Sequence, residues 1–340
     1  MGFFIKRIPL AITALLLLSS LLPSFAQAGL FFKKTTIMGT DLEITVSASE
    51  ASSAEAAFSS VSEEMARIES LMSEWMEGTP VAEVNRNAGI KPVAVPDEVF
   101  KIISDAVLIS EASNGAFDIT WASMRGLWSF APGSERLPSK EEVDGRIGLV
   151  DYRDIVLDRS KKTVFLKRKY MAIGLGAIAK GYAVDRAMKR IISRGIKDAI
   201  VKAGGDMRVQ GRGDDGPWKI GIRDPRDKDK LLATLDVSNI SISTSGDYER
   251  FFVKDGVLYH HIMDPKTGYP ARGTRSVTII GPDTETTDAL STAVFVMGVE
   301  AGMELIKSLK GIEAVIVDSS GLIHSSPGIS LSSPGGLGRP

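Results

Sequence analysis

The sequence contains no cysteine among its 340 residues, and its charges nearly balance, with 41 Lys and Arg against 42 Asp and Glu. Without cysteine, the chain cannot form disulfides, thiolate metal sites or a cysteine nucleophile, and it cannot carry a lipid on an N-terminal cysteine. The near-neutral balance gives no basic excess of the kind that binds nucleic acid regardless of its sequence. Hydrophobic residues make up 44% of the chain, which is enough for one large domain or two ordinary ones.

An apolar run near the N-terminus covers residues 8–22 and follows two positive residues. It is shorter than the roughly 20 residues that a membrane-spanning helix needs, and Pro23 closes it. A pattern of small residues then ends at Ala28. We therefore expect residues 1–28 to be a secretory signal peptide cleaved after Ala28, with a retained membrane anchor as the alternative. Export without a lipidation cysteine predicts a soluble periplasmic protein.

Helical and strand-like periodicities alternate along the rest of the chain without the regular βαβ rhythm of a doubly wound sheet. This mixture predicts an α+β fold with mixed sheets and packed helices, forming a single domain over residues 29–324. The Ser, Gly and Pro content of residues 325–340 predicts a flexible tail. Helices are predicted near 58–71, 100–112, 178–194 and 288–310, and strands near 42–48, 155–157, 163–166, 199–201, 218–222, 232–237, 257–262, 277–280 and 314–317.

Four glycine-rich or polar segments interrupt these elements, and two of them precede residue 210. In the turn at 174–182, glycines allow close approach of a ligand, and a helix N-terminus with Lys180 offers a place for phosphate. The same glycines also suit a turn that serves packing only, and the segment matches neither a P-loop nor a G-x-G-x-x-G fingerprint. Asp206 follows two glycines at the end of an apolar strand, where it either contacts a ligand or caps its own turn.

The other two segments carry histidines, hydroxyls and carboxylates. Segment 241–250 is rich in hydroxyls, and His261 stands where a strand enters a D-P-x-T-G turn, a normal place for a catalytic group. His260 should point to the opposite face and be structural. Asp288 and Thr292 are four residues apart on one helix face with Ser291 beside them, and such oxygens suit Mg²⁺ or Ca²⁺. Alternatively, Asp288 caps that helix or complements its dipole.

Taken together, the order and the residue sequences of these segments resemble the ApbE family of FAD:protein FMN transferases. The resemblance runs from about residue 36 to residue 322, nearly the whole chain after the predicted signal peptide. The segments that carry it are 38–40, 71–87, 115–120, 177–185, 203–211, 245–251, 261–270 and 288–292.

The resemblance implies an exported, ApbE-like single unit related to the T-fold that uses FAD and Mg²⁺. Such an enzyme transfers the FMN half of FAD to a Thr or Ser hydroxyl of a partner protein and releases AMP. The chain itself contains no D-x-x-[ST]-x-x-T-like segment, so the modified hydroxyl should belong to another chain. The resemblance implies that this acceptor is a flavin-carrying subunit of a membrane redox complex. Two alternatives are an Mg²⁺-dependent FAD pyrophosphatase, in which water replaces the acceptor hydroxyl, and a non-catalytic FAD-binding protein.

The resemblance also implies roles for particular residues. His261 is the expected general base, and Asp264 or Asp247 could share or replace it. Asp288, Thr292 and the carbonyl of Ala177 would hold the metal, with Ser291 close by. The residues expected to bind FAD are Met38, Trp75, Ala116, Phe117, Asp118, Gly174, Lys180, Asp206, Ser245, Asp247 and Ile262.

One position departs from the family pattern. The family usually has an Asp that contacts the flavin nucleotide where this chain has Gly174. Loss of one polar contact to a bound nucleotide costs on the order of 1–3 kcal/mol, so we expect FAD affinity to depend on whether another group compensates.

Overall fold

The computed structural model describes residues 29–333, so the predicted signal peptide and residues 334–340 lie outside the described residues. Two short 3₁₀ segments accompany the helices and strands, at Ile119–Met124 and Tyr152–Asp154. The helices are α1 (Ala51–Met72), α2 (Pro80–Arg86), α3 (Asp97–Ala112), α4 (Lys140–Ile147), α5 (Ala179–Ser193), α6 (Thr284–Met297) and α7 (Val299–Ser308). The strands are β1 (Gly29–Ile37), β2 (Thr40–Ala48), β3 (Val93–Ala94), β4 (Ile155–Asp158), β5 (Thr163–Leu166), β6 (Ala199–Ala203), β7 (Asp206–Gln210), β8 (Trp218–Arg223), β9 (Leu231–Val237), β10 (Ile240–Gly246), β11 (Phe251–Lys254), β12 (Val257–His260), β13 (Thr274–Gly281), β14 (Glu313–Asp318) and β15 (Ile323–Ser325).

The central feature is an eight-stranded sheet with the order β1-β2-β6-β7-β10-β13-β14-β15. Its neighbouring strands are all antiparallel. Three smaller antiparallel sheets, β8–β9, β11–β12 and β3-β5-β4, lie around it. This architecture confirms the predicted α+β class. No helix between residues 29 and 333 has the length and apolar character that a membrane crossing requires.

The two faces of the large sheet are covered differently. Alternating residues of β2, such as Ile44, are fully buried in a core shared with α1 and α5. Residues of β13 alternate in the same way, so that Ile279 packs with α6 and α7. Its neighbour Ile280 faces the other side, where Trp218 and Leu235 of the β8–β9 hairpin cover the sheet. The strand period of two thus assigns each side chain to one of two cores.

A buried ionic cluster fixes α1 against α5. The Glu64 side chain is 1% exposed and its carboxylate accepts hydrogen bonds from Arg67 at 2.7 Å, Arg186 at 3.2 Å and Arg190 at 2.7 Å. These guanidinium groups, Arg67 first, outweigh burial and lower the pKa of Glu64 to about 2. A carboxylate held by three guanidinium groups stays ionised even inside the protein.

The helix predicted over 288–310 differs from the structure in two ways. It begins at Thr284, because Asp283 caps it by accepting the Thr286 N–H at 2.8 Å, and Asp185 of α5 accepts the Thr284 N–H at 2.8 Å. It is also divided into α6 and α7 at Gly298, whose φ of 80° lies in the left-handed region. The alternative in which Asp288 caps the helix is therefore wrong, since Asp288 lies in the second turn of α6.

The first part of the predicted flexible tail is packed on the domain. Ser332 pairs with Thr234 of β9 through two backbone hydrogen bonds of 3.0 Å, and Ile329 and Leu331 pack against the core beneath the β8–β9 hairpin. Burial of these two apolar side chains offsets the entropy lost on ordering the segment. The domain therefore extends beyond residue 324, at least to residue 333.

Candidate active site

The candidate site forms where α5 and α6 approach each other most closely. A Cβ added to Gly181 in the first turn of α5 would lie 2.1 Å from the Thr284 carbonyl oxygen and 2.7 Å from the Asp288 Cβ. Only glycine fits this contact, and it lets the Gly181 N–H donate to Asp288 Oδ2 at 3.0 Å. Asp288 is 3% exposed. Gly181 therefore brings a backbone N–H of the first turn of α5 to a buried carboxylate.

Lys180 joins this carboxylate to a second one. Its Nζ lies 3.0 Å from Asp206 Oδ2 and 3.2 Å from each Asp288 carboxylate oxygen, and it donates to the Gly176 carbonyl at 2.9 Å. Asp206 follows Gly205, where an added Cβ would lie 2.4 Å from the Thr244 carbonyl oxygen of β10. The resulting Lys180–Asp206–Asp288 cluster holds one positive and two negative side chains.

The cluster shifts the pKa values of its members. Burial and, after it, the charge of Asp206 raise the pKa of Asp288 to about 7, although Lys180 and the Gly181 N–H oppose the rise. Burial by itself would lower the pKa of Lys180, but Asp206 and Asp288 outweigh it and raise that pKa. Lys180 is therefore charged at neutral pH, and Asp288 needs cationic neighbours to stay ionised.

Hydroxyl groups hold α6 against β10 beneath the cluster. Alternate serines of β10 point towards α6, where their partners recur at spacings of three to four residues. The pairs, with their oxygen–oxygen distances, are Ser241–Thr284 at 2.9 Å, Ser243–Thr287 at 2.9 Å, Ser245–Ser291 at 2.8 Å and Ser245–Thr292 at 3.4 Å. Hydrogen-bonded hydroxyls thus replace apolar contacts along this helix–sheet interface, which is why apolar periodicity did not predict β10.

The donor set around Asp288 suits a hard cation. Asp288, Ser291 and Thr292 lie on one face of α6 at spacings of three and four residues, and Ala177 lies in the turn that precedes α5. Within residues 29–333, no three His, Cys, Asp or Glu side chains form a metal-binding group. A cation here would have to use one or two carboxylates together with hydroxyl and carbonyl oxygens, which are ligands that Mg²⁺ accepts. The raised pKa of Asp288 fits this, because a bound cation would favour its ionised form.

The two adjacent histidines have different environments. His260 is buried, with Nε2 2.9 Å from the Ala271 carbonyl oxygen and Nδ1 accepting the Ile262 N–H at 3.3 Å, so it is structural, as expected. His261 Nδ1 is buried and has no hydrogen-bond partner within the described residues. Burial, followed by the charge of Arg250, lowers the pKa of His261 to about 4, and Lys180 contributes to the same shift. His261 is therefore neutral at pH 7 and has a free acceptor nitrogen.

The two alternative bases are committed to other contacts. Asp264 Oδ1 accepts the Lys266 N–H at 2.9 Å, and the Asp264 carbonyl accepts the Gly268 N–H at 2.9 Å, so this residue shapes the turn after His261. Asp247 is 5% exposed and forms a bidentate pair with Arg226, with two N–O distances of 2.7 Å. Asp247 thus has both carboxylate oxygens paired and Asp264 has one, whereas His261 Nδ1 has no partner among the described residues.

Three more of the predicted FAD-binding residues lie in separate loops. The Trp75 ring is 72% exposed, and the Arg125 guanidinium lies 4.2 Å from its centre. Met38 lies in the β1–β2 turn, where the next carbonyl, that of Gly39, accepts a hydrogen bond from Arg250 at 3.1 Å. The Gly174 N–H donates to the carbonyl of Ile119 at 2.9 Å, which places Gly174 beside the 116–119 turn.

Several predicted binding residues are buried and serve the fold as well. Phe117 is 2% exposed within the main core, and Ala116 and Ile262 are also buried. Asp118 accepts the N–H groups of Thr120 and Tyr152, each at 2.8 Å. Any contact that these residues make with a ligand would therefore come from their backbone or from a small part of the side chain.

The structure thus joins Lys180, Asp206 and Asp288 in one cluster and pairs the hydroxyls of β10 with those of α6. The charge of Lys180 contributes to the lowered pKa of His261. Sequence reasoning missed Gly181 as the contact point of the two helices, and it missed Glu74 and Arg125 around Trp75. The sequence features that could have indicated them are a glycine directly after Lys180 and a carboxylate directly before Trp75.

The fold and the site define an α+β protein with a buried lysine–carboxylate cluster between two helices and an antiparallel sheet. Residues 38–316 match the ApbE family, and the chain belongs to that family.

Relatives and solved structures agree with this assignment. The chain is 33% identical over 276 residues to an FAD:protein FMN transferase of Klebsiella pneumoniae, covering 80% of this chain and 86% of that protein. It is 32% identical to the FAD:protein FMN transferase of Treponema pallidum over 77% of this chain and 76% of that one. The crystal structure of an ApbE protein of Thermotoga maritima superposes with a TM-score of 0.81 at 36% identity, covering 88% of this chain and 97% of that one. The flavin transferase ApbE of Vibrio cholerae superposes with a TM-score of 0.78 at 26% identity, covering 90% and 98% of the two chains.

Proposed function

We propose that this protein is an FAD:protein FMN transferase that moves the FMN half of FAD to a Thr or Ser hydroxyl of a partner protein and releases AMP. The family membership and the relatives that bear this name support the proposal. The observation that carries it is the Lys180–Asp206–Asp288 cluster, because it places a protonated lysine and a cation-dependent carboxylate next to a glycine-rich turn that a nucleotide can approach.

The charge of the cluster explains why a metal is part of the proposal. If both carboxylates were ionised beside one ammonium, the cluster would carry a net negative charge, which would repel a pyrophosphate. Asp288, the Thr292 hydroxyl and the Ala177 carbonyl are the groups that would hold Mg²⁺, with Ser291 beside them. A bound Mg²⁺ supplies positive charge that offsets the charge on the phosphate oxygens in the transition state.

The residues of the chain have separate tasks in the transfer. Lys180 presents its ammonium to phosphate oxygens and keeps Asp206 and Asp288 in place. The acceptor oxygen attacks the FMN-side phosphorus, the bond from that phosphorus to the bridging oxygen breaks, and AMP leaves with that oxygen. His261 takes the proton of the acceptor hydroxyl, for which its neutral imidazole is ready at pH 7. A pKa of about 4 makes His261 a weak base in the free protein, and a neighbouring phosphate raises its basicity.

The partner and the location are further parts of the proposal. We propose that the acceptor is a subunit of a membrane redox complex and that the protein acts in the periplasm after export. The apolar run at residues 8–22 and the small residues ending at Ala28 support export. The resemblance to exported flavin transferases supports the choice of acceptor.

The decisive experiment incubates protein lacking residues 1–28 with FAD and Mg²⁺, with or without an acceptor that carries the D-x-x-[ST]-x-x-T motif. Covalently flavinylated acceptor together with AMP is the expected result. Free FMN and AMP without acceptor would instead identify a pyrophosphatase, and intact FAD under both conditions would identify a binding protein.

A substitution of Asp288 tests the metal assignment. Asp288→Ala should abolish Mg²⁺-dependent turnover, while Asp236→Ala should not, because the Asp236 side chain is 56% exposed on β9, outside the cluster. Full activity of the Asp288 variant would refute the metal assignment.

A further inference from the structure

Glu74 is a buried carboxylate beside the candidate site that no element of the proposed mechanism uses. It lies in the loop after α1, directly before Trp75, and its side chain is 13% exposed. Its Oε1 lies 3.6 Å from Arg125 Nη2, which is beyond hydrogen-bonding distance, and Arg125 Nη2 has no hydrogen-bond partner within residues 29–333. Burial raises the pKa of Glu74, and the backbone N–H of Glu74, Arg125 and the backbone N–H of Leu175 only partly oppose this. Burying a carboxylate without a close hydrogen-bond donor lowers the stability of the folded protein unless another donor, such as a ligand, reaches it.

The Glu74 carboxylate occupies the space that a side chain at position 174 would take. A Cβ added to Gly174 would lie 2.7 Å from Glu74 Oε1, 3.3 Å from Glu74 Cδ and 3.1 Å from the Ala122 Cβ. Gly174 therefore leaves room for the carboxylate that arrives from the other loop. The same backbone continues through Gly176, whose carbonyl accepts from Lys180, so Glu74 lies at the entrance of the glycine-rich turn.

The neighbours of Glu74 suit a flat, polar ligand. Trp75 presents an exposed ring, and the Arg125 guanidinium stacks on it at 4.2 Å from the ring centre. An aromatic ring supports a conjugated ring system by stacking, and a carboxylate next to it accepts hydrogen bonds from the N–H or O–H groups of that ligand. Together they form a stacking surface with an acceptor at its buried edge.

We infer that Glu74 is a binding residue for FAD: its carboxylate, lodged over Gly174, accepts a hydrogen bond from an N–H or O–H group of the nucleotide. The inference rests on the proposed function, since it concerns the same ligand. A carboxylate therefore does lie against position 174, although it comes from position 74. A side chain at position 174 would have to displace the Glu74 carboxylate, so the two positions depend on each other.

The experiment measures the Kd of FAD by flavin fluorescence without acceptor and the Tm of each variant by circular dichroism. Glu74→Ala should weaken FAD binding by about ten-fold, the effect of one lost hydrogen bond to a ligand. Glu74→Gln should weaken it less, because the amide oxygen still accepts a hydrogen bond but without the negative charge. Glu74→Gln keeps the shape of the side chain and should change the Tm little. Glu77→Ala is the matched control, because Glu77 is exposed in the same loop and its loss should leave the Kd unchanged.

Moving the carboxylate separates a binding role from a packing role. Gly174→Asp alone should weaken binding, because its side chain meets the Glu74 carboxylate. The double variant Glu74→Ala/Gly174→Asp should return to within about three-fold of the wild-type Kd, since one hydrogen bond is restored. A pure packing role would change the Tm without this rescue.

The outcomes that overturn the inference are distinct from failure of the proposed function. Unchanged FAD affinity in Glu74→Ala, tighter binding in Gly174→Asp alone, or a double variant no better than either single variant would each refute the role of Glu74 and leave the transferase proposal intact. Absence of FAD binding by the wild-type protein would refute both.

Discussion

Replacement of Lys180 by methionine should destabilise the protein through the two carboxylates it leaves behind. Lys180 Nζ lies 3.0 Å from Asp206 and 3.2 Å from Asp288, and both carboxylates are 3% exposed. Methionine keeps the length and apolar stem of lysine but removes the charge. Breaking a buried ion pair by removing one partner costs about 3–5 kcal/mol, because the remaining charge is buried without compensation.

Protonation of Asp288 limits this loss and gives it a pH dependence. Burial already raises the pKa of Asp288 to about 7 with the lysine present, and removal of a positive neighbour raises it further. At pH 6 the variant keeps Asp288 protonated without a large loss of free energy. At pH 8 the variant must either bury an ionised carboxylate without its lysine or keep the carboxyl protonated above its ordinary pKa, and both lower the free energy of unfolding. The loss in the free energy of unfolding should therefore be larger at pH 8 than at pH 6.

Urea unfolding followed by circular dichroism at both pH values measures the effect. Lys33→Met is the matched control, because Lys33 pairs with Glu55 at 3.1 Å while their side chains are 41% and 65% exposed, and such surface pairs contribute about 0–1 kcal/mol. Lys180→Met/Asp206→Asn should lose less stability than the single variant, since one of the two stranded charges is gone. A loss below about 1 kcal/mol at both pH values, equal to that of the control, would refute a buried, mutually dependent cluster.

Three further predictions follow from the site and the core. His261→Gln should lower kcat by about 10²-fold with unchanged FAD affinity. Because the pKa of His261 is lowered to about 4 in the free protein, the wild-type kcat/KM, which reports the free enzyme, should not fall through His261 between pH 8 and pH 5. An acid limb of kcat/KM with a midpoint at pH 6.5 that disappears in the variant would contradict this. Gly181→Ala should cost about 2–3 kcal/mol in urea unfolding through overpacking, whereas Gly176→Ala, which meets nothing within 4 Å, should cost far less; equal effects would refute the close helix contact. Glu64→Gln should lower the free energy of unfolding by about 3 kcal/mol at neutral pH. Because the pKa of Glu64 in the folded protein is lowered to about 2, the stabilisation by its charge is complete above the unfolded pKa of about 4.3 and is lost as the pH falls towards 2. A difference in stability between the variant and the wild type that did not change with pH would refute this.

Local patterns let the sequence determine most elements of the fold. Apolar spacing predicted β2, α1, α3 and α5 because the period of 2 or 3.6 residues is set by the backbone itself. It failed for β10, whose inward side chains are hydroxyls paired with α6, and for the break at Gly298 between α6 and α7. Both features depend on what packs opposite, and a single segment does not show its partner.

The same division applies to the site. That Asp288, Ser291 and Thr292 share a face of α6 follows from helix geometry alone. The strand predicted over 257–262 ends at His260, so strand geometry does not fix the direction of the His261 side chain. That Lys180 joins Asp288, 108 residues away, and that Glu74 fills the space over Gly174 were decided only by the tertiary structure. The physical reason is that charge pairing and close packing act through space, between atoms whose separation along the chain carries no information about their distance. The sequence by itself determined the elements and the candidate groups, and the packing of α5 on α6 determined which of those groups act together.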